Sequence, residues 1–399
     1  MLRKRIKDVL KALFFAARAI GLPVLLLPLR WPRRFRPETV QRILVIRLDR
    51  LGDLALTLPL INALKRRWPS AEVTLLCREA TAPLAEGHPT IDHVLTMPGT
   101  GQSAGRRAIG WPSAEMVRLL RAGRFDLAID PFSGEELGPA LLAWESRARY
   151  RLGFSTAGRG GLFTRTVAAD RRQSFIEQQR SLLAAIDVPL EVSPPWLTVS
   201  VEERRSAAER LRASGLDPGR PIIGIHPGGY YPTQRWPLGR FLELARQLEQ
   251  ADWQIAFFGT RAEERLIAQI GTGVGAKVGV YFGLELREFI AIMSHCRLFI
   301  CNNSGPLHLA ASLGLPTVST MGPTNPVRWQ PVGNHHRVVS KGLWCSPCQE
   351  AHCPLGTHDC LMEISVEEMA KAVRELTAAL PGLAPTKLVG AAQAARERW

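Results

Sequence analysis

Between residues 42 and 320, short apolar runs of strand character alternate with segments of helical period, and the alternation runs through twice. The first set has strands at 42–47 (RILVIR), 72–77 (EVTLLC) and 126–130 (DLAID), with helices at 54–68, 113–121 and 173–186. The second has strands at 221–225 (PIIGI), 254–258 (QIAFF), 277–282, 298–301 and 317–320, with helices at 202–214, 238–250, 261–270, 286–294 and 305–313. Near-continuous Val, Ile and Leu runs separated by helices point to a parallel sheet covered on both faces. The stretch 189–200 (PLEVSPPWLTVS) is proline-rich, lacks a helical period and separates the two sets. The expected fold class is therefore α/β, with two Rossmann-like doubly wound domains facing an interdomain cleft. Their expected extents are residues 38–195 and 196–365, with an extension at 1–37 before them and a C-terminal helix and tail at 366–399. In open sheets of this kind ligands lie outside the carboxyl ends of the strands, so the post-strand loops should carry the chemistry.

The charge narrows the partners. The 399 residues hold 51 Lys and Arg against 36 Asp and Glu, formally +15, which suits nucleic acid, an acidic membrane surface or a phosphorylated substrate. Residues 1–36 carry ten of the basic residues against Asp8 alone, so most of the excess belongs to a tail. The centre of that tail, 9–29, is apolar but contains Lys11, Arg18, Pro23 and Pro28. Its uncharged run, 19–29, is short of the roughly 20 residues that a spanning helix needs. Leu29-Arg30-Trp31-Pro32 follows where a signal peptide would have its small-residue cleavage site. Two readings stay open. In one, Phe14, Phe15, Leu22, Leu25 and Trp31 dip into a bilayer while the basic residues meet anionic headgroups. In the other, the segment packs on the protein with its charges solvated. The first implies a cytoplasmic protein held peripherally on the inner face of the cytoplasmic membrane.

The informative residues follow the strands. The first strand ends in Arg47-Leu48-Asp49-Arg50-Leu51-Gly52-Asp53, with Thr57 and Pro59 in the helix beyond. Gly52 suits a tight turn. Asp53, near a helix N-terminus, is either a capping carboxylate on a backbone N–H or a general base at the strand's carboxyl end. In the second half, His226-Pro227-Gly228-Gly229 follows a strand and Thr233-Gln234-Arg235-Trp236-Pro237 opens a helix. Glycine-loop N–H groups beside a helix N-terminus, with Arg235 as counter-charge, suit phosphate oxygens; a plain loop is the alternative. Asn302-Asn303-Ser304-Gly305, with His308 one turn on, and Gly322-Pro323-Thr324-Asn325-Pro326 follow the next two strands. Three polar, glycine-containing loops at strand ends describe one site. The string Gly271-Thr272-Gly273-Val274-Gly275-Ala276 matches a dinucleotide fingerprint, but it follows a helix and precedes a strand, so the required context is missing.

Of seven cysteines, Cys77, Cys296 and Cys301 are scattered and read as small core residues. Cys345-x2-Cys348-x4-Cys353-x6-Cys360 has the ligand count of a structural zinc site, with packing of reduced thiols as the alternative. A basic nucleic-acid-binding protein with a zinc module is the competing class. Its arm would be polar throughout, whereas this one is apolar at its centre, and residues 344–362 hold few basic residues.

The pattern Arg47-x4-Gly52-Asp53-x3-Thr57-x-Pro59 resembles the start of glycosyltransferase family 9, the ADP-heptose:lipopolysaccharide heptosyltransferases. So do His226-Pro227-Gly228-Gly229 with Arg235-Trp236-Pro237, and Asn303-Ser304-Gly305-x2-His308-Leu309-Ala310 with Gly322-Pro323-Thr324. The resemblance implies a GT-B fold and an inverting transfer of heptose, or a related sugar, from a nucleotide diphosphate donor such as ADP-heptose. The implied acceptor is a lipopolysaccharide core or another lipid-linked anionic oligosaccharide, and the implied chemistry needs no metal or cofactor. It implies Asp53 as the base, with Arg47, Gly52 and Thr57 on the acceptor side. Gly228, Gly229, Gln234, Arg235, Trp236, Glu263, Asn303, Ser304, Gly305, His308, Gly322 and Thr324 fall to the donor. The expected partners are then the donor, the acceptor and an anionic membrane surface through residues 1–36, without nucleic acid. Two positions depart from the family pattern: Gln234 stands where a lysine is usual beside the diphosphate, and Asn303 where an aspartate is common. One cation and one anion are thus absent, which leaves the donor sugar and nucleotide open.

Overall fold

The computed structural model describes residues 17, 18, 21, 34–98, 112–170, 172–263, 277–380 and 383. Most of the basic tail, the loop 99–110, the expected helix 261–270 beyond Glu263, the fingerprint-like string 271–276 and the C-terminal tail beyond 383 lie outside those residues. The chain divides into two compact units, Met1–Val192 and Ser193–Trp399.

Unit 1 has six parallel strands: β1 (Arg42–Arg47), β2 (Glu72–Arg78), β3 (His93–Met97), β4 (Leu127–Asp130), β5 (Tyr150–Phe154) and β6 (Arg165–Val167). Their order is β3-β2-β1-β4-β5-β6, so the chain reverses direction across the sheet between β1 and β4. That is where an open sheet leaves a crevice, and the loops after β1 and β4 border it. Its helices are α1 (Leu51–Ala55), α2 (Leu58–Arg67), α3 (Ala114–Ala122), α4 (Gly138–Glu145) and α5 (Phe175–Ala184). Leu44 and Ile46 of β1 pack with Leu76, Leu142, Ala143 and Phe163 in one core cluster. Each such large side chain contributes about 1.5–3 kcal/mol on burial, which is why the middle strands read so clearly.

The expected helix 54–68 is two helices. Pro59 has no N–H and crowds the turn before it, so the chain breaks at Leu56 and Thr57. The first helix also begins earlier, at Leu51, which places Gly52 inside it rather than at a turn. β3, β5, β6 and helix α4 had no counterpart among the sequence expectations.

Unit 2 repeats the plan with β7 (Ile222–His226), β8 (Gln254–Gly259), β9 (Val278–Phe282), β10 (Leu298–Asn302), β11 (Thr317–Thr320) and β12 (His336–Val339), ordered β12-β11-β10-β7-β8-β9. Counted from its own first strand, each sheet has the same order, and in unit 2 the reversal falls between β7 and β10. The helices are α6 (Val201–Ala213), α7 (Leu238–Gln250), α8 (Leu286–Met293), α9 (Gly305–Ser312), α10 (Pro326–Trp329), α11 (Asp359–Met362) and α12 (Val366–Ala379). Ser365 starts α12 with a reciprocal cap: its hydroxyl accepts the Glu368 N–H at 3.1 Å, and Glu368 Oε2 accepts the Ser365 N–H at 2.8 Å. Met369, Val373 and Leu376 then pack α12 into the cluster of Phe241, Leu244 and Trp253. Among the described residues no helix is long and apolar enough to cross a membrane. Of the basic tail, Arg18 donates to Ala157 O at 2.6 Å and Glu135 O at 2.5 Å, so this residue rests on unit 1.

Candidate active site

At the carboxyl end of β1 the strand delivers a buried cation into a group of carboxylates. Arg47, 2% exposed, sets Nη1 3.2 Å from Asp49 Oδ2 and Nη2 3.4 Å from Asp53 Oδ1. Its guanidinium lies 4.7 Å over the Phe175 ring of α5. Asp53 is the third residue of α1, not its cap, and its Oδ2 accepts the Arg50 N–H at 3.1 Å. The carboxylate therefore does reach back to cap the helix, while its side chain keeps 14% exposure, enough for a hydroxyl to approach. Thr57 is buried and its hydroxyl donates to Asp53 O at 2.7 Å, so it steadies the Asp53 backbone. Burial raises the Asp49 carboxyl above the usual range; Arg47 opposes that shift and Asp53 adds to it. Behind them, β4 ends in Asp130, fully buried and paired with the fully buried Arg159. Burial likewise raises Asp130, and Arg159 is the main opposing influence.

In unit 2 the loops after β7, β10 and β11 are tied together by one amide. Asn302, 0% exposed, donates to Pro227 O at 2.7 Å and Gly228 O at 3.0 Å, and accepts from the Trp236 N–H at 3.0 Å and the Thr320 hydroxyl at 2.8 Å. Two donors and two acceptors exhaust what a carboxamide offers. Gln234 adds a weaker link, with Nε2 donating to Thr324 Oγ1 at 3.4 Å. Neither Gly228 nor Gly229 needs positive φ. Gly228 is required for close approach instead: a Cβ there would lie 2.1 Å from Glu263 Oε1 and 2.7 Å from His226 Cε1. Glu263 is thus brought against the glycine loop, its other oxygen accepting the Thr260 N–H and hydroxyl, each at 2.9 Å. Arg235 is exposed and donates to Gly229 O at 2.9 Å. Ser304 stands at the N-terminus of α9, where Gly305 is the first residue.

Three buried ring or amide nitrogens around these loops have no hydrogen-bond partner: His226 Nδ1, Asn303 Nδ2 and His308 Nδ1. A buried polar atom left unpaired costs about 1–3 kcal/mol, so these three nitrogens hold unused hydrogen-bonding capacity around the loops. Burial pushes the His308 imidazole down to about 4, with His336 adding to the shift, so it sits neutral at physiological pH.

Not every expected residue faces that site. Trp236 is core: 1% exposed, edge-on to Phe241 and donating from Nε1 to Ile364 O at 2.9 Å. Gly322 serves packing, since a Cβ there would meet Leu361 at 2.6 Å and Cys360 Sγ at 3.0 Å. Cys345, Cys348, Cys353 and Cys360 are free thiols. Among the described residues no three His, Cys, Asp or Glu side chains are placed to hold a metal ion. The sequence reading quoted Asn302 and Asp49 within their motifs without giving either a role, and passed over Asp130 and Arg159. The signal for a role at Asn302 is a polar residue at the end of an apolar strand. Asn302→Ala is expected to cost about 2–3 kcal/mol, because it leaves two carbonyls and a backbone N–H unpaired. Urea unfolding measures it, and an unchanged midpoint would mean that the loops hold without this amide.

The sequence profile of glycosyltransferase family 9 (heptosyltransferase) matches residues 114–358. The lipopolysaccharide heptosyltransferase 2 of Salmonella typhimurium is 26% identical over 354 residues, 84% of this chain and 98% of that protein. The solved structure of a family 9 glycosyl transferase from Veillonella parvula has a TM-score of 0.74 at 25% identity, covering 87% of this chain and 99% of that one. That of the E. coli ADP-heptose lps heptosyltransferase II has a TM-score of 0.66 at 24% identity, covering 84% and 98%. Two parallel six-stranded units of this order are the GT-B architecture. With the profile spanning more than half of its length, the chain belongs to glycosyltransferase family 9, the heptosyltransferases.

Proposed function

We propose that the chain transfers a heptose from ADP-heptose to the core of a lipopolysaccharide precursor, or to a similar lipid-linked oligosaccharide, with inversion at the transferred carbon. The observation that carries the donor half is the set of three unpaired, buried nitrogens on His226, Asn303 and His308 beside the glycine loop. They supply hydrogen-bonding capacity, and Arg235 supplies an exposed cation that pairs well with a diphosphate. ADP-heptose is the donor named for the E. coli fold neighbour, and lipopolysaccharide the acceptor named for the Salmonella relative.

In the reaction, Asp53 takes the proton of an acceptor hydroxyl. The oxygen then forms a bond to the anomeric carbon while the bond to the diphosphate breaks, and ADP leaves with the electron pair. N–H groups of the glycine loop and Arg235 meet the charge that develops on the leaving oxygen. Arg47 holds Asp53 by charge from behind, and Thr57 holds its backbone. No step is routed through a metal ion. The work is proposed to take place on the cytoplasmic face of the membrane, where a lipid-linked acceptor is presented.

The test incubates purified protein and a heptose-deficient lipopolysaccharide precursor with ADP-heptose, ADP-glucose or a UDP-sugar, all in the presence of EDTA. The expected result is ADP release and acceptor mass gain with ADP-heptose alone. Consumption of another donor, or an absolute need for added magnesium, would sink this reading.

A further inference from the structure

Arg47 stands between two carboxylates, and the proposed transfer uses only one of them. Its terminal nitrogens face different acids, Nη1 toward Asp49 Oδ2 at 3.2 Å and Nη2 toward Asp53 Oδ1 at 3.4 Å. The contact with Asp49 is one of charge rather than of a directed hydrogen bond, since Nη1 and Asp49 Oδ2 are both enclosed and neither has a hydrogen-bond partner. The other charged groups that face Asp49 are engaged elsewhere. Asp130, at the end of β4, pairs with Arg159, and Arg78, at the end of β2, donates from Nε to Leu48 O. Arg50, the next residue along the chain, is exposed, and α5 contributes the Phe175 ring against Arg47. Among the described residues, Arg47 is thus the cation that Asp49 and Asp53 share.

The charge balance during transfer gives this sharing a consequence. Once Asp53 takes a proton its charge is gone, and a guanidinium that is 2% exposed would be left buried without a counter-charge if Asp53 were its only acid. Asp49 remains as that counter-charge, so it favours the state in which the proton has moved over the state before. It also offsets the pull of Arg47 on Asp53, which alone would make Asp53 a weaker base. We propose that Asp49 is a positioning residue for the transfer, acting through Arg47 to keep Asp53 able to accept the proton and to hold the Arg47 charge once the proton has moved. The mutual influence is visible from the other side. Burial raises the Asp49 carboxyl, Arg47 opposes that shift first, Asp53 adds to it, and Arg159 and Arg78 oppose it more weakly. Asp49 acts only when ionised, so its help is lost early as pH falls. The inference rests on Asp53 as the base proposed above.

The experiment follows ADP release from ADP-heptose and the heptose-deficient precursor between about pH 5 and 9, using the full chain as wild type, Asp49→Asn, Asp49→Glu and Asp53→Asn. Melting midpoint and donor Kd are measured alongside. Asp49→Asn is expected to lower the kcat plateau about tenfold and to move the acid limb about one unit to lower pH, so that its profile converges on that of wild type toward acid. Donor Kd should not change. Asp49→Glu, which keeps the charge, should return both plateau and limb toward wild type. A kcat lowered by the same factor at every pH, or a raised acceptor KM at unchanged kcat, would overturn the proposal. Should Asp49→Asn not fold, Asp49→Ser carries the same comparison. If both melt below the assay temperature, Asp49 only holds Arg47 in the fold and the proposal falls. A wild-type profile in Asp49→Asn beside an inactive Asp53→Asn overturns this inference alone, whereas wild-type turnover in Asp53→Asn removes the base and the inference together.

Discussion

Asp53→Asn is expected to lower kcat by about 10²–10⁴ while leaving fold and donor affinity in place. The substitution separates the capping contact that the structure shows from the proposed duty as base. As a cap, Asp53 needs only an oxygen to accept the Arg50 N–H, and an asparagine supplies it. As a base, it needs a carboxylate, and an asparagine cannot take the proton. Arg47 loses one counter-charge at 3.4 Å but keeps Asp49 at 3.2 Å, so the buried guanidinium is not abandoned. Stability should therefore change little. The residues proposed to hold the donor all lie in unit 2, so the donor Kd should stay within error. Turnover, donor Kd and melting midpoint are measured side by side. Wild-type turnover would return Asp53 to capping alone and leave the proposed mechanism without a base. A collapse of the melting midpoint would show that charge on Arg47, rather than proton transfer, is the residue's main work.

Much of this was legible before any coordinates, and for a physical reason. Central strands buried on both faces, such as β1 and β7, must be apolar throughout, so they announce themselves, and the loops after them are then known to border the crevice. Helix α7 spans the residues expected of it because its apolar face repeats cleanly from Phe241 to Leu248. β5 was not legible because its run is broken by Arg151 and Gly153, the arginine stacked over Trp144 at 4.9 Å. The same holds for the short edge strands β6 (RTV) and β12 (HRVV), which need no apolar run. Asp53 was read as a cap or a base; it does accept a backbone N–H, but from the third position of α1, because Gly52 looks like a turn and proves helical. Arg159 carried no local signal. It sits in Thr156-Ala157-Gly158-Arg159-Gly160-Gly161, which looks like an exposed loop, and only its partner Asp130, 29 residues away, explains its burial.

That pair makes Arg159→Met the largest stability prediction, a loss of about 3–5 kcal/mol. Both side chains are 0% exposed. Arg159 also donates to Phe132 O and, at 3.1 Å, to Gly134 O, and lies 5.0 Å over the Phe132 ring. Methionine can fill much of the volume, so the loss is electrostatic: Asp130 is left buried with the Phe132 N–H at 3.0 Å as its remaining donor, and two carbonyls lose theirs. Burial already raises the Asp130 carboxyl, and without its main opposing charge that carboxyl rises further and takes up a proton. The sign with pH follows. A carboxyl whose folded pKa lies above its unfolded value favours the folded state most below the unfolded value, and the advantage is lost as pH rises through the folded one. The gap between variant and wild type should therefore be widest near neutral pH and narrow toward about pH 4, where Asp130 is protonated at less cost. For a unit of this size the neutral-pH gap corresponds to a fall of about 10–15 °C in Tm. Adding Asp130→Leu to the variant should recover most of it, since a well-packed apolar pair can replace a buried ion pair at little net cost. Calorimetry of wild type, single and double variants at neutral and acid pH decides the matter. A single variant as stable as wild type at neutral pH, or a gap that widens with acid, would mean that the pair is not what holds the loops after β4 and β5 in place.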